Sequence, residues 1–370
     1  MVPFDFHART RVIFAAGAFG RLGALARDLG FTRTLLVADP GMVSTGYAAA
    51  ATGHLQSSGI HVHTFHDFGE NPDSAMVEAG RAFAAPLRID SIVGLGGGSS
   101  LDCAKGISFL LTNGGTMADY RGYGRTSHPL LPMIAVPTTA GTGSEAQSYA
   151  VISDSTTHMK MACGDPTAAA KIALLDPELT VSAPRRVPAM AGYDAIAHAV
   201  ETWVTTKRTP ISEAFAKRSW ELLSGAFERV LSHPSDIEAR SAMLAGAHFA
   251  GTAIELSMLG AAHACSNPLT ARCNLAHGLA LSILLPQVVR WNASIVGDRY
   301  DALAGSTESL AAQLERFASI GGLGGRLGDH GAKEGDLPEL AALAAQQWTG
   351  TFNPRKFDAA GAMEIYTSAM

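Results

Sequence analysis

Ile89-Asp-Ser-Ile-Val93, then Gly94-Leu-Gly96-Gly97-Gly98-Ser99-Ser100-Leu101-Asp102, then Cys103-Ala-Lys-Gly-Ile-Ser-Phe-Leu-Leu111 read as a short apolar run, a glycine turn and a helical pattern. Strand, tight turn and helix in that order are the repeating joint of an α/β layer. The glycines let backbone N–H groups approach an anion, and Ser99 and Ser100 are predicted to cap the helix whose first amides attract it. Plain strand-to-helix turns also use glycine. This run departs from a regular dinucleotide fingerprint, because it lacks the final glycine spacing and does not follow the first strand. It has no Lys-Ser/Thr ending either, which excludes a P-loop.

The segments on either side extend the same pattern. Thr34-Leu-Leu-Val-Ala-Asp39 reads as a buried strand ending in a carboxylate. An acid there can accept both ribose hydroxyls of an adenosine and repel a 2′-phosphate, favouring NAD over NADP; Asp39 can equally be a turn residue before Pro40. After the strand Pro132-Met-Ile-Ala-Val136 comes Pro137-Thr138-Thr139-Ala140-Gly141-Thr142-Gly143-Ser144-Glu145, whose hydroxyls and glycines suit ribose or phosphate oxygens. Beyond Pro184 the runs become long, Ala-rich and helical. The chain is therefore expected to divide into an α/β domain over 1–178 and an all-helical domain over 179–370.

The helical half carries a second chemistry. Pro188 to Trp203 is predicted as one helix, and Asp194 and His198, four residues apart, share a face of it. The segment Gly260 to Gly278 brings His263 and His277 across a proline-containing break. One histidine alone is more often solvated or simply hydrogen-bonded. One carboxylate with three imidazoles suits Fe(II) or Zn(II) and leaves room for a substrate oxygen.

The whole chain bounds these readings. At 370 residues it fits two domains, and a net charge of −5 with 16% charged residues offers no basic surface for nucleic acid. No apolar run reaches a membrane span of about 18 residues, and the N-terminus lacks a basic region and an apolar core, so a cytoplasmic protein is expected. Cys103, Cys163, Cys265 and Cys273 have no framework spacing and are expected as reduced thiols; a His/Cys zinc module over 263–277 fits no ordinary spacing. His61, His63 and His66 fall on a half-exposed strand, and Gly321 to Gly328 reads as a flexible connection.

Taken together the chain resembles the iron-containing (group III) alcohol dehydrogenases. The resemblance runs nearly end to end, through Asp39-Pro-Gly-Met, Asn71-Pro72, Gly96 to Asp102, Pro137 to Glu145, Lys160-Met161, Asp176-Pro-Glu-Leu179, Asp194 to Glu201, His277-Gly278 and Asn353-Pro-Arg355. It implies an N-terminal α/β dinucleotide-binding domain plus an all-α C-terminal metal-binding domain, the fold shared with dehydroquinate synthases. It places Asp39 at the adenosine ribose, Asn71, Gly97, Gly98, Ser99 and Asp102 around the pyrophosphate, and Thr138, Thr139, Thr142, Lys160 and Leu179 along the nicotinamide half. Asp194, His198, His263 and His277 fall on its four metal-ligand positions, with Fe(II) ahead of Zn(II). The activity implied is hydride transfer between NAD(H) and a small alcohol or aldehyde in a homo-oligomer, a dimer by resemblance. One position departs: where many members carry a proton-relay histidine four residues after the third ligand, this chain has Asn267, which cannot titrate near neutral pH. A non-redox enzyme using NAD and metal on the same scaffold, or a reductase of an anionic aldehyde, stay open alternatives. The substrate is left open by Tyr149, Ile254, Thr270, Arg272 and Cys273; Arg272 reads as a surface residue before an anion receptor.

Overall fold

In the computed structural model, which describes residues 3–370, the strand β2 (Arg33–Ala38) buries side chains on both its faces. Leu35 and Val37 enter one apolar core while Leu36 and Ala38 enter another. Successive strand residues point to opposite faces, so two cores require helices on both sides of the sheet. Helices α1 (Leu22–Asp28) and α3 (Tyr47–Ser57) supply Leu22, Leu25, Ala51 and Leu55 to one face. On the other, α4 (Ser74–Ala84) and α5 (Gly98–Asn113) supply Val77, Ala104 and Ile107.

With β1 (Arg11–Phe14), β3 (His61–Phe65), β4 (Ser91–Gly96), β6 (Met133–Pro137) and β9 (Ile172–Leu175), β2 forms a parallel sheet in the order β1-β9-β6-β4-β2-β3. The chain leaves β2 toward the edge at β3, then returns to place β4 on the other flank of β2. The turns after β2 and β4 therefore part at a topological switch point, where open α/β sheets bind ligands. The first of these turns leads into the short helix α2 (Pro40–Ser44). A smaller sheet, β5 (Gly122–Tyr123), β8 (Lys160–Gly164) and β7 (Tyr149–Ser153), adjoins α5 through the packing of β7. His61 and His63 lie, as expected, on β3 at the sheet's edge, whereas His66 falls just past the end of that strand.

The second unit runs from Pro184 to Met370 and includes Ala140–Thr142 and residues 3–6. Its helices are α6 (Arg186–Val204), α7 (Pro210–Ser232), α8 (Ile237–Leu256), α9 (Ala261–Cys273), α10 (His277–Ala304), α11 (Thr307–Gly321), α12 (Leu337–Ala345) and α13 (Ala359–Ala369). Four of their starts are legible in the sequence, where Thr209, Asp236, Ser306 and Asp358 accept N–H bonds as caps of α7, α8, α11 and α13. Tyr193, Phe227, Leu284 and Phe317 are buried in one core formed around α6. Burying each such side chain contributes about 1.5–3 kcal/mol, which fixes α6 and thereby the side chains on its inner face.

Two expectations need correction. Pro268 lies inside α9 and does not break it; the helix ends at Asn274, which has a left-handed φ of 52°. Asparagine tolerates that conformation, so the reversal before His277 is made there. And α10 is long and apolar enough to cross a membrane by composition, but 67% of its apolar window is buried within the protein, so its apolarity is met by the helical core.

Candidate metal centre

Steps of four and three residues along α6 put Asp194, His198 and Glu201 on one face. His263 sits in the first turn of α9 and His277 opens α10. The three imidazoles converge on a single atom: from Asp194 Oδ1, Nε2 of His198 is 3.1 Å away, Nε2 of His263 3.3 Å and Nε2 of His277 3.6 Å. Asp194, His198 and His263 are each 5% exposed, and His277 is part-buried. The four residues expected at one site thus meet at one Asp194 oxygen from three helices, α6 supplying two of them.

The donor set fits a divalent cation. Four ligands held tetrahedrally at ~2.1 Å from one ion stand about 3.4 Å apart, close to the three distances from Asp194 Oδ1, and ligand atoms of Asp194, His263 and His277 all lie within 4.8 Å of one another, with His198 joined to them through Asp194. Without a cation, several imidazole lone pairs would face a carboxylate in a region that excludes water. Burial alone would raise the Asp194 carboxyl, but the His198 charge, hydrogen bonds with His198 and His263, and the His277 charge hold it well below the usual carboxylate range. Burial alone would lower His263, yet the Glu201 charge and hydrogen bonds to Asp194 and Glu201 push it up to about 9. A proton on His263 is one answer to this concentration of negative charge, and a metal ion answers it at all the ligands together.

Around the cluster, each imidazole is supported differently. His263 Nδ1 lies 2.5 Å from Glu201 Oε2, and Glu201 Oε1 accepts the Ala262 N–H at 2.7 Å. Asn353 Oδ1 accepts the neighbouring Ala261 N–H at 3.2 Å and is itself paired with Asn292. A Cβ on Gly260 would stand 2.9 Å from that Asn353 oxygen and 3.1 Å from Glu201 Oε1, so the glycine makes room for both. His277 Nδ1 has a long contact of 3.5 Å with the Ser266 hydroxyl, while His198 Nδ1 is buried with no hydrogen-bond partner. Sequence reading missed Glu201 as part of the site; its signal was the carboxylate three residues after His198 on the same helix.

Asn267, one turn beyond His263, donates through Nδ2 to Gln347 Oε1 at 3.1 Å. Arg272 pairs with Glu339 at 3.0 Å on the surface, which leaves it no role as an inward anion receptor.

In the α/β unit the cofactor candidates gather at the switch point, with changes from expectation. Ser99 and Ser100 do not cap α5: Gly97 is its N-cap residue and no side chain caps it. The Ser99 hydroxyl instead accepts the Asn71 N–H at 3.1 Å, with Asn71 in left-handed backbone at φ 51°. The Ser100 hydroxyl donates to Asp39 Oδ2 at 2.8 Å and ties the two turns together. Gly96, at φ 141°, could not carry a Cβ, which would stand 2.3 Å from Ser100 Oγ and 2.7 Å from Asp39 Oδ2. Asp39 also caps α2 by accepting the Gly41 N–H at 2.8 Å, so its turn role is real; a carboxylate has further acceptor positions for a ribose. Thr139 Oγ1 would lie 3.2 Å from a Cβ on Gly97, and the Thr138 N–H bonds Gly96 O at 2.9 Å. The first amides of α5 carry no side-chain cap and lie beside glycine backbone, a geometry that suits an anion.

Other candidates lie less directly there. The Asp102 carboxylate accepts the Ser144 hydroxyl at 2.6 Å, and burial raises it against the opposing charges of Lys105 and Lys160. Lys105, which sequence reading did not single out, is 1% exposed and donates to Ser144 O, Gln147 O and Tyr149 O at 2.7–2.8 Å, bracing the segment after Gly143. Lys160 starts β8. The Leu179 side chain is 5% exposed in the apolar core, so only its backbone could meet a cofactor. Thr142 is exposed and groups with the helical unit, where Gly141 packs against Ala191.

Comparison with known proteins bears on both regions. Residues 9–177 match the family model for iron-containing alcohol dehydrogenase, and residues 188–370 match the C-terminal model of the Fe-containing alcohol dehydrogenase family. Alcohol dehydrogenase 4 of Schizosaccharomyces pombe is 33% identical, covering 97% of this chain and 87% of its own length. The NAD-dependent methanol dehydrogenase of Bacillus methanolicus is 32% identical, covering 93% of each. Among solved structures, that of a 1,3-propanediol oxidoreductase superposes with a TM-score of 0.95 at 30% identity over all of both chains.

Proposed function

The chain belongs to the iron-containing alcohol dehydrogenase family, and from that premise we propose that Asp194, His198, His263 and His277 hold one divalent ion, Fe(II) ahead of Zn(II). The protein is an oxidoreductase acting on CH–OH groups, an NAD-linked alcohol dehydrogenase or aldehyde reductase that transfers hydride between the nicotinamide and a small alcohol or aldehyde. The convergence of three imidazole Nε2 atoms on one Asp194 oxygen carries the metal reading. When bound, a divalent ion supplies Lewis acidity that polarises the substrate oxygen.

The chain's own residues do the rest. The Asp194 carboxylate supplies the negative charge of the ligand set, and the buried imidazoles fix its geometry and limit water. NAD is the proposed cofactor, its pyrophosphate at the first amides of α5 with Gly97, Gly98, Ser99 and Asn71, and its adenosine ribose at Asp39. Thr138, Thr139, Thr142, Lys160 and the backbone of Leu179 are assigned to the nicotinamide half; Asp102 supports that segment through Ser144. Asn267 orients a water or a hydroxyl, since its amide cannot exchange a proton in the neutral range. We read the protein as cytoplasmic, which its free cysteines favour, and as a homodimer by family likeness.

Metal analysis of the purified protein should find about one divalent ion per chain. An NADH-oxidation screen over small aldehydes, neutral and anionic, should give turnover that chelation abolishes and Fe(II) or Zn(II) restores. Protein that takes up neither ion, or turnover indifferent to chelation, breaks this reading.

A further inference from the structure

Glu201 is positioned to decide which nitrogen of His263 faces the cluster. Its carboxylate meets two groups at once: Oε1 accepts the Ala262 N–H at 2.7 Å, and Oε2 lies 2.5 Å from His263 Nδ1. Both contacts are buried, with Glu201 3% and His263 5% exposed. An ionised carboxylate is acceptor-only, so the Glu201 side of the ring must carry the proton. Nδ1–H then donates outward, and the Nε2 lone pair is left aimed at the atoms around Asp194 Oδ1.

The surroundings hold Glu201 in that role. The helix α9 begins with N–H groups that no residue of its own first turn caps, and Glu201 and Asn353 accept from Ala262 and Ala261 in their place. The positive end of α9 favours a carboxylate there. Gly260, which has no Cβ to crowd Glu201 Oε1 and Asn353 Oδ1, completes the fit. His198 has no such anchor on its buried Nδ1, whereas His263 is held there by a carboxylate.

We propose that Glu201 is a positioning residue of the metal centre, which by accepting from His263 Nδ1 fixes that imidazole as an Nε2 ligand. This rests on the metal reading above, and donor and acceptor accounting makes it specific. In Glu201→Gln the amide has one oxygen for two donors. If that oxygen stays with the Ala262 N–H, the amide NH2 faces His263 Nδ1 and favours the opposite tautomer, with its proton on Nε2 where the ion should bind.

The test uses full-length protein stripped of metal and titrated with Co(II), read by its visible absorption and by competition with a chelator. Glu201→Gln should bind Co(II) about 10- to 100-fold more weakly than the parent, the usual effect of removing such a support. Its far-UV circular dichroism and NADH affinity should stay unchanged, which loss of the fold would not allow. Co(II) affinity within twofold of the parent overturns the role of Glu201 while leaving the metal site standing; a parent that binds no Co(II) overturns the metal reading and this proposal with it. Should the variant not fold, the nitrogen-15 spectrum of the Zn(II)-loaded parent decides, with His263 assigned by signals lost in His263→Gln. Nδ1 protonated and Nε2 metal-bound supports the proposal, and the reverse overturns it.

Discussion

The metal cluster and the nucleotide turns are built from different parts of the chain. At the cluster, side chains would do the binding: Asp194 and His198 on α6 and His263 on α9 are buried, and His263 is aimed by its neighbour Glu201. At the turns proposed for the nucleotide, backbone would do much of it, through uncapped amides of α5, a Gly96 that cannot become alanine, and hydroxyls that tie one turn to the other. A side-chain site fails when one ligand is removed, because the remaining groups cannot enclose the ion. A backbone site should lose affinity by degrees, since each amide or hydroxyl supplies one of several parallel contacts.

The largest effect should come from the cluster. In His263→Ala the ion should be lost and turnover should fall at least about a thousandfold, as the several kcal/mol that a metal contributes at a substrate oxygen correspond to tenfold per ~1.4 kcal/mol. A double variant with His198→Ala should be hardly worse than either single one, because residues that act as a unit are not additive. Metal analysis, circular dichroism and turnover check this together. Full metal content with more than a tenth of parental turnover in His263→Ala would show that the cluster is not the working centre.

A smaller effect is expected at the nucleotide turn. Asp39→Gly removes the carboxylate proposed to face a 2′-phosphate, so the kcat/KM preference for NAD over NADP should narrow by about tenfold or more. It also removes the cap that accepts the Gly41 N–H and the acceptor of the Ser100 hydroxyl, costing about 1 kcal/mol for the cap, a shift of a few degrees in Tm. Metal content should not change. Equal kcat/KM for the two cofactors in the unmodified enzyme would remove the ribose role from Asp39 and leave only the structural one.

The same division governs what the sequence could convey. Asp194 and His198 were legible because four residues make one helical turn, and the strand-turn-helix at Gly96 because glycine marks a backbone that no other residue can follow. Serine was ambiguous: a hydroxyl after a glycine turn predicts a cap, whereas here Ser99 and Ser100 bond across to Asn71 and Asp39, partners 28 and 61 positions away. Lys105 was invisible for the same reason, since its carbonyl acceptors belong to a distant segment and leave no periodic trace. Pro268 misled because proline usually ends a helix, but the packing of α9 outweighs the one hydrogen bond it removes.

The mildest change is the one that probes the cluster's edge. Asn267 lies one turn after His263 and donates to Gln347 Oε1 at 3.1 Å, so the position has an acceptor ready for an imidazole N–H. In Asn267→His one ring nitrogen can keep that bond while the other becomes a group titrating near the reference imidazole pKa of about 6.5. The parent's pH profile for aldehyde reduction should therefore show no ionisation attributable to residue 267, and the variant should gain one at about pH 6–7, with rates changed by no more than about tenfold. The sign follows from the direction of reaction: reduction consumes a proton, so if the new imidazolium is the donor, the added rate appears on the acid side and fades as pH rises through its pKa. Profiles of kcat and kcat/KM for both proteins, at matched metal content, would measure it. An unchanged profile would mean that residue 267 does not reach the reacting groups, and a parental ionisation in that range abolished by changing a different histidine would locate the proton route elsewhere on the chain.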